Sequence, residues 1–301
     1  MRNATIDDMA KAVCSISTNG MPVATGFFVS HSEDYFLVTA SHVPGLLGDE
    51  TPSMVVAKTN GIGSVEEMCF GKWFRPDNRA DVCVLKVTDR IRTMIERGAD
   101  FACIDLDVDA ASHLMPTNSP YGLPGVGMLC LDQFKAAGVG RGREAFMLAS
   151  STEVWEGYEN RKEVPITYRG GRIANVATTK CNLGRGREGL EYGPWANLIT
   201  TDISVIGGAS GAPVFVRGDA RGAFLVGVMV SIVPPHQEIK LSRSEGVEIK
   251  QLGDGRFLIK GKEYIYKANT FLSYVVPMEP VMDCLASAQL QSFAPINFFG
   301  E

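Results

Sequence analysis

The chain has 301 residues, 45% hydrophobic and 21% charged, enough to bury one large core or two small ones. Its net charge of −5 argues against a general nucleic-acid binder. No apolar run reaches membrane-spanning length, and residues 1–11 lack the basic start, apolar run and cleavage site of a secretion signal.

In chain order, residues 4–10 read as a short helix capped by Thr5 or Asp7. Short strands follow at 12–18, 23–30 and 35–39, with Asn19-Gly20 and Ser32-Glu33-Asp34 as turns. Strands continue at 54–58, 67–74 and 81–87, then a short helix at 88–98. Residues 104–125, rich in Asp, Ser, Pro and Gly, read as a connector. Beyond it, strands are expected at 144–150, 164–173, 198–203, 214–216, 223–232, 246–250, 257–259, 264–266 and 270–276. Residues 278–289 close the pattern as a helix, with Pro280 in its first turn. Many short strands joined by Gly-containing turns argue for barrels or sandwiches, not a parallel α/β sheet.

Seven scattered cysteines, none in a Cys-x-x-Cys pair, point to reduced and mostly buried thiols in a cytoplasmic setting. No zinc signature is present, and neither a metal nor a cofactor is expected. The run Gly138-Val-Gly140-Arg-Gly142 mimics a dinucleotide fingerprint, but its third glycine is misplaced and no βαβ unit follows. Gly140-Arg-Gly-Arg-Glu144 returns as Gly184-Arg-Gly-Arg-Glu188, and residues 141–187 hold nine basic against five acidic residues. This is either a pair of solvated loops or a basic face for an acidic partner.

The stretch most suggestive of chemistry is Ile206-Gly-Gly208-Ala-Ser210-Gly-Ala-Pro-Val-Phe215. Glycines let the backbone take positive φ and approach a substrate. The amides of Gly208 and Ser210 can then converge on an oxyanion. A serine needs a base. Of four histidines, His31, His113 and His236 sit in polar or Pro-rich segments, whereas His42 follows the apolar strand Phe36-Leu-Val-Thr-Ala-Ser-His42. Asp81 heads a second apolar strand, where an acid needs a partner such as an imidazole N–H. An α/β-hydrolase places its acid and histidine after the serine, and here only Asp219 and His236 are available, too close together for that fold. The order His42, Asp81, Ser210 is the chymotrypsin-type order.

These residues carry a resemblance. Ala24-Thr-Gly-Phe-Phe-Val29 with Leu37-Val-Thr-Ala-Ser-His42-Val43 resembles the histidine region of trypsin-like serine peptidases. Asp81-Val-Cys-Val-Leu85 resembles their aspartate motif, and Gly208-Ala-Ser-Gly-Ala-Pro213 their serine motif. Leu225-Val-Gly-Val228 and Ser273-Tyr-Val-Val-Pro277 resemble the strands that end the domain. The match spans about residues 12–290 and is similar to the Deg-like bacterial branch and viral relatives that lack disulfides, with no PDZ-like extension.

The resemblance implies an all-β fold: two six-stranded antiparallel barrels, 1–110 with His42 and Asp81 and 111–301 with Ser210, closed by a C-terminal helix. It implies a serine endopeptidase with a His42/Asp81/Ser210 triad, an oxyanion hole from the Gly208 and Ser210 amides, and a protein or peptide substrate. Ser204 would lie at the base of the specificity pocket, and Val230, Ser231 and Ile232 along its wall, favouring a medium apolar side chain over Lys or Arg. Ala209 stands where secreted relatives carry an aspartate, so activation by an ion pair to a new N-terminus is not expected. The long gap from Asp81 to Ser210 places loop insertions at 153–163 and 178–194, with an extended hairpin at 234–262. The apolar tail 293–299 is expected to pack on the barrel or dock on a partner. Two other readings remain at this level: a pseudoprotease that binds peptides, and a protease regulated by an effector on its basic loops.

Overall fold

The computed structural model describes residues 3–18, 21–46, 55–59, 67–68, 73–78, 80–98, 101–107, 118–150, 166–177, 197–205, 207–218, 222–232, 249–253, 256–259, 262–265 and 272–292. The first helix, α1 (Ile6–Ala10), starts at a reciprocal cap: Thr5 Oγ1 accepts from the Asp8 amide, and the Asp8 carboxylate accepts from the Thr5 amide.

Strands β1 (Val13–Thr18), β2 (Met21–His31), β3 (Asp34–Thr39), β4 (Val55–Thr59), β5 (Glu67–Met68) and β6 (Cys83–Lys86) form one antiparallel sheet in the order β5-β4-β1-β2-β3-β6. Phe74 forms an isolated antiparallel bridge with Val84 of β6. The β2–β3 hairpin turns on Ser32 and Glu33, both at positive φ, as a two-residue turn between right-twisted strands requires. Helix α3 (Thr88–Glu96) buries Ile91 and Met94 on one face.

The second sheet contains β9 (Glu144–Ser150), β10 (Ile166–Ala177), β11 (Leu198–Thr201), β12 (Pro213–Arg217), β13 (Ala223–Ile232) and β17 (Ser273–Pro277). Its order, β12-β9-β10-β11-β17-β13, closes on itself because β13 also pairs with β12. This is a six-stranded antiparallel barrel, which leaves no open edge. Helix α5 (Glu279–Ser292) follows β17 and packs against both β17 and β6 of the first sheet.

Several expectations change. The connector at 104–125 contributes β7 (Ile104–Asp105), which pairs in parallel with β2, and residues 108–117 lie outside the described part. Beyond it, β8 (Val126–Met128) adds in parallel to β13, and α4 (Leu131–Phe134) is a single turn; segments this short carry no readable period. Of the strand expected at 67–74, β5 and the Phe74 bridge are described, and 69–72 lie outside the described part. Strand β10 runs four residues past its expected end at 173. Within the insertion expected as an extended hairpin at 234–262, β14 (Ile249–Gly253) and β15 (Arg256–Ile259) pair antiparallel, and β16 (Lys262–Ile265) adds a third strand to this sheet, with 233–248 outside the described part. The insertions at 153–163 and 178–194, and the tail 293–299, lie outside the described residues.

Strand β9 of the second barrel is buried on both faces. Along β9, Ala145, Met147 and Ala149 join a cluster with Ile173, Val214, Val226 and Val275. Phe146 and Leu148, pointing the other way, join the large cluster that holds Phe27, Phe36, Val84 and the α5 residues Val281 and Leu285. One apolar core therefore continues from the first sheet over the outer face of the second barrel, and a second core fills that barrel.

Candidate active site

His42 is the first residue of α2 (His42–Leu46), reached from β3 through the small residues Ala40 and Ser41. The Val43 amide donates to the Ala40 carbonyl at 3.0 Å, which turns the chain sharply at the end of the strand. Asp81 precedes β6, where Asn78 Oδ1 caps the Ala80 amide at 2.9 Å and the Val82 amide donates to Ala80 at 2.8 Å. Pairing of β3 with β6, Thr39 against Cys83, brings these two strand ends together.

The result is a His–Asp pair. His42 Nδ1 lies 2.6 Å from Asp81 Oδ2. The other oxygen, Oδ1, accepts from the His42 amide at 2.8 Å and from the Ser41 hydroxyl at 2.7 Å. Asp81 is only 3% exposed, so its charge is taken out of water and satisfied by three donors. Ser41 was not singled out by sequence; its only signal is a hydroxyl beside the histidine.

The serine loop comes from the other barrel. Gly208 and Gly211 both take φ of +87°, a conformation that favours glycine. A Cβ on Gly211 would stand 2.1 Å from the Thr25 carbonyl oxygen and 2.2 Å from Thr39 Oγ1. The loop thus sits directly on β2 and on the end of β3 that leads to His42. Ala209 and Ala212, both fully buried, root the loop in the core of the second barrel. An aspartate at 209 would bury a charge at a position that is 0% exposed. The Ser210 carbonyl accepts from the Thr25 amide at 2.9 Å, and the Gly211 amide donates to the Met229 carbonyl at 2.7 Å. Among the described residues, no hydrogen bond joins the Ser210 hydroxyl to the imidazole.

The residues expected to line the specificity pocket are placed as follows. Ser204 is exposed just past β11. Val230 is buried, at a register shift between Met229 and Ser231 where β13 meets β17. Ser231 and Ile232 lie in β13, and their side chains are outside the described part. Such irregularities re-aim side chains beside sites.

A second His–Asp pair stands apart. His31 Nδ1 lies 2.5 Å from Asp107 Oδ1, and Asp107 Oδ2 accepts from the Ser32 amide at 2.7 Å. It pins the β2–β3 turn and has no hydroxyl nucleophile among its partners. Nor do the described thiols offer one. Burial pushes Cys103 and Cys130 up to about 11 and Cys284 to about 12, and it raises Cys14 and Cys83 as well. Such thiols stay protonated at neutral pH. Among the described residues, no group of three or more His, Cys, Asp or Glu could hold a metal ion.

The family model described as a trypsin-like peptidase domain matches residues 24–228. The chain belongs to the trypsin-like peptidase family. The matched span includes His42, Asp81 and Ser210 of this peptidase, and both sheets contribute to it. No curated protein matches its sequence at a significant level. Among solved structures, an inactive form of Rv3671c from M. tuberculosis is 13% identical, with 96% of this chain and 91% of that one covered and a TM-score of 0.46. A serine-to-alanine form of the HtrA-type protease AlgW, in a structure with a decapeptide, is 15% identical, with 95% and 66% covered and a TM-score of 0.49. A serine endoprotease from Yersinia pestis is 13% identical, with 95% and 64% covered and a TM-score of 0.44. No helix among the described residues is long and apolar enough to cross a membrane.

Proposed function

We propose that the peptidase cleaves peptide bonds with Ser210 as nucleophile, His42 as base and Asp81 as the group that orients the base. The observation that carries this reading is the buried Asp81 carboxylate bound to His42 Nδ1, with the Ser210 loop lying against the strand that leads into His42. A carboxylate on Nδ1 fixes the tautomer, so that Nε2 is the nitrogen free to accept a proton. Ser210 Oγ attacks the peptide carbonyl while Nε2 takes its proton. The tetrahedral oxygen is held by the amides of Gly208 and Ser210. Collapse expels the amine, which takes the proton back from His42. Water then repeats the sequence on the acyl-enzyme and releases the acid.

The substrate class is a protein or peptide. Ser204, Val230, Ser231 and Ile232 are proposed to line the specificity pocket and to select a medium apolar side chain. The proposed division is 1–110, carrying His42 and Asp81, and 111–301, carrying Ser210. The free thiols among the described residues fit a reducing, cytoplasmic compartment.

Labelling with a fluorophosphonate probe tests the triad. Wild type is expected to label, and Ser210→Ala and His42→Ala are expected not to. In another fold with this triad, losing the nucleophile or the base costs about 10⁶-fold in turnover. A wild type that stays unlabelled, alone and with cell lysate added, would favour a peptide-binding pseudoenzyme. Peptide-library profiling then reads the pocket, and a profile dominated by Lys or Arg rejects the apolar assignment.

A further inference from the structure

We propose that Thr25 is a positioning residue that clamps the two carbonyls flanking the oxyanion site and so sets the reactivity of Ser210. The proposal rests on the triad reading above and extends it to a residue of the first sheet.

Thr25 lies mid-strand in β2, opposite Ser15 of β1, and is fully buried. Its hydroxyl donates to the Gly208 carbonyl at 2.7 Å. The same oxygen accepts from the Ser150 amide, at the end of β9, at 2.9 Å. The Ser150 carbonyl, 3.4 Å away, is a poorer acceptor, so the single hydroxyl proton belongs to Gly208. The Thr25 amide donates to the Ser210 carbonyl at 2.9 Å. Its own carbonyl accepts from Thr39 Oγ1 at 2.8 Å, three residues before His42. One buried residue thus holds the carbonyls of Gly208 and Ser210, the two residues whose amides are assigned to the oxyanion.

Gly208 sits at φ +87°, where a glycine has many alternatives. Fixing its carbonyl fixes the peptide plane that follows it and narrows the directions its own amide can take. Valine would suit the strand equally well. It would keep the backbone bond to Ser210 but leave the Gly208 carbonyl and the Ser150 amide without their hydroxyl partner. The hydroxyl is therefore explained by what it holds, not by the strand it sits in.

The test compares wild type with Thr25→Val and Thr25→Ser in the full chain. Two quantities are read: amide hydrogen exchange over residues 207–212, and the rate of fluorophosphonate labelling per folded molecule. Thr25→Val is expected to raise exchange in that segment and slow labelling by about 10- to 100-fold, as displaced oxyanion donors do. Thr25→Ser is expected to restore both. If Thr25→Val does not fold, Thr25→Ala replaces it. Unchanged exchange in the hydroxyl-free variant overturns the clamp. Faster exchange with unchanged labelling overturns the positioning role and leaves Thr25 a purely structural residue. An unlabelled wild type overturns the triad reading instead, and the exchange comparison alone then decides the clamp.

Discussion

Asp81 concentrates three hydrogen bonds on two oxygens, and two of the donors belong to one residue, His42. Ser41 is the independent one. A hydrogen bond to a buried charge contributes about 1.5–3 kcal/mol. Ser41→Ala is therefore expected to lower folding stability by about 2 kcal/mol, read as a shift in the urea midpoint. It also leaves Asp81 Oδ1 held by the His42 amide without the Ser41 hydroxyl, so fluorophosphonate labelling should slow while remaining detectable, because the bond to Nδ1 survives. A midpoint equal to wild type would mean that Ser41 contributes nothing at this carboxylate.

At the scale of elements, closure of the second barrel depends on β13 pairing with two neighbours at once. Gly227 faces Val214 of β12 and Pro277 of β17. A Cβ there would stand 2.2 Å from the Val276 carbonyl oxygen and 2.7 Å from Val275 Cγ1. Backbone held in a closed barrel gives way poorly, so Gly227→Ala is expected to cost about 3 kcal/mol, the upper end for overpacking. Chemical denaturation checks it, and a loss below about 0.5 kcal/mol would show that the strands slide apart freely. The serine loop leaves β11 and enters β12 of this same barrel, so damage at Gly227 should also reach Ser210. Helix α5 acts at the same scale. It packs on β17 and on β6, and so braces the strand that follows Asp81.

For the whole molecule, the continuous core couples the two sheets, and its buried thiols make stability depend on pH. Cys14, Cys83, Cys103 and Cys284 are buried, and burial raises all four above the ordinary value of 9.0. In the unfolded chain these thiols ionise above about pH 9, whereas in the fold they keep their protons. The unfolded state then binds fewer protons, so stability falls as pH rises through this range. Each such thiol contributes about 1.4 kcal/mol of loss per pH unit between its unfolded and folded values. Thermal unfolding between pH 8 and about pH 10.5 is expected to show this decline, and Cys103→Ala to flatten it. An equal decline in that variant would assign the effect to other groups.

Sequence alone determined the β class, the positions of most strands, the family resemblance and the chain order His42, Asp81, Ser210. These are local properties: alternation of apolar residues, turn residues between them, and short motifs. It also marked Gly208 as a position that needs positive φ, the conformation it takes in the fold. Tertiary structure decided what lies across the barrels. Thr25 and Gly208 stand 183 positions apart, and nothing in either neighbourhood announces their bond. Ser41 reads as a small turn residue until β3 and β6 pair and bring Asp81 to it. The two-faced burial of β9 and the parallel additions of β7 and β8 were equally illegible, and β14 to β16, whose strands were expected, gave no sign that they pair apart from the two larger sheets. Each depends on which surfaces the folded chain brings together, and a hydrogen bond or an apolar contact leaves no periodic trace in the sequence when its partner is remote.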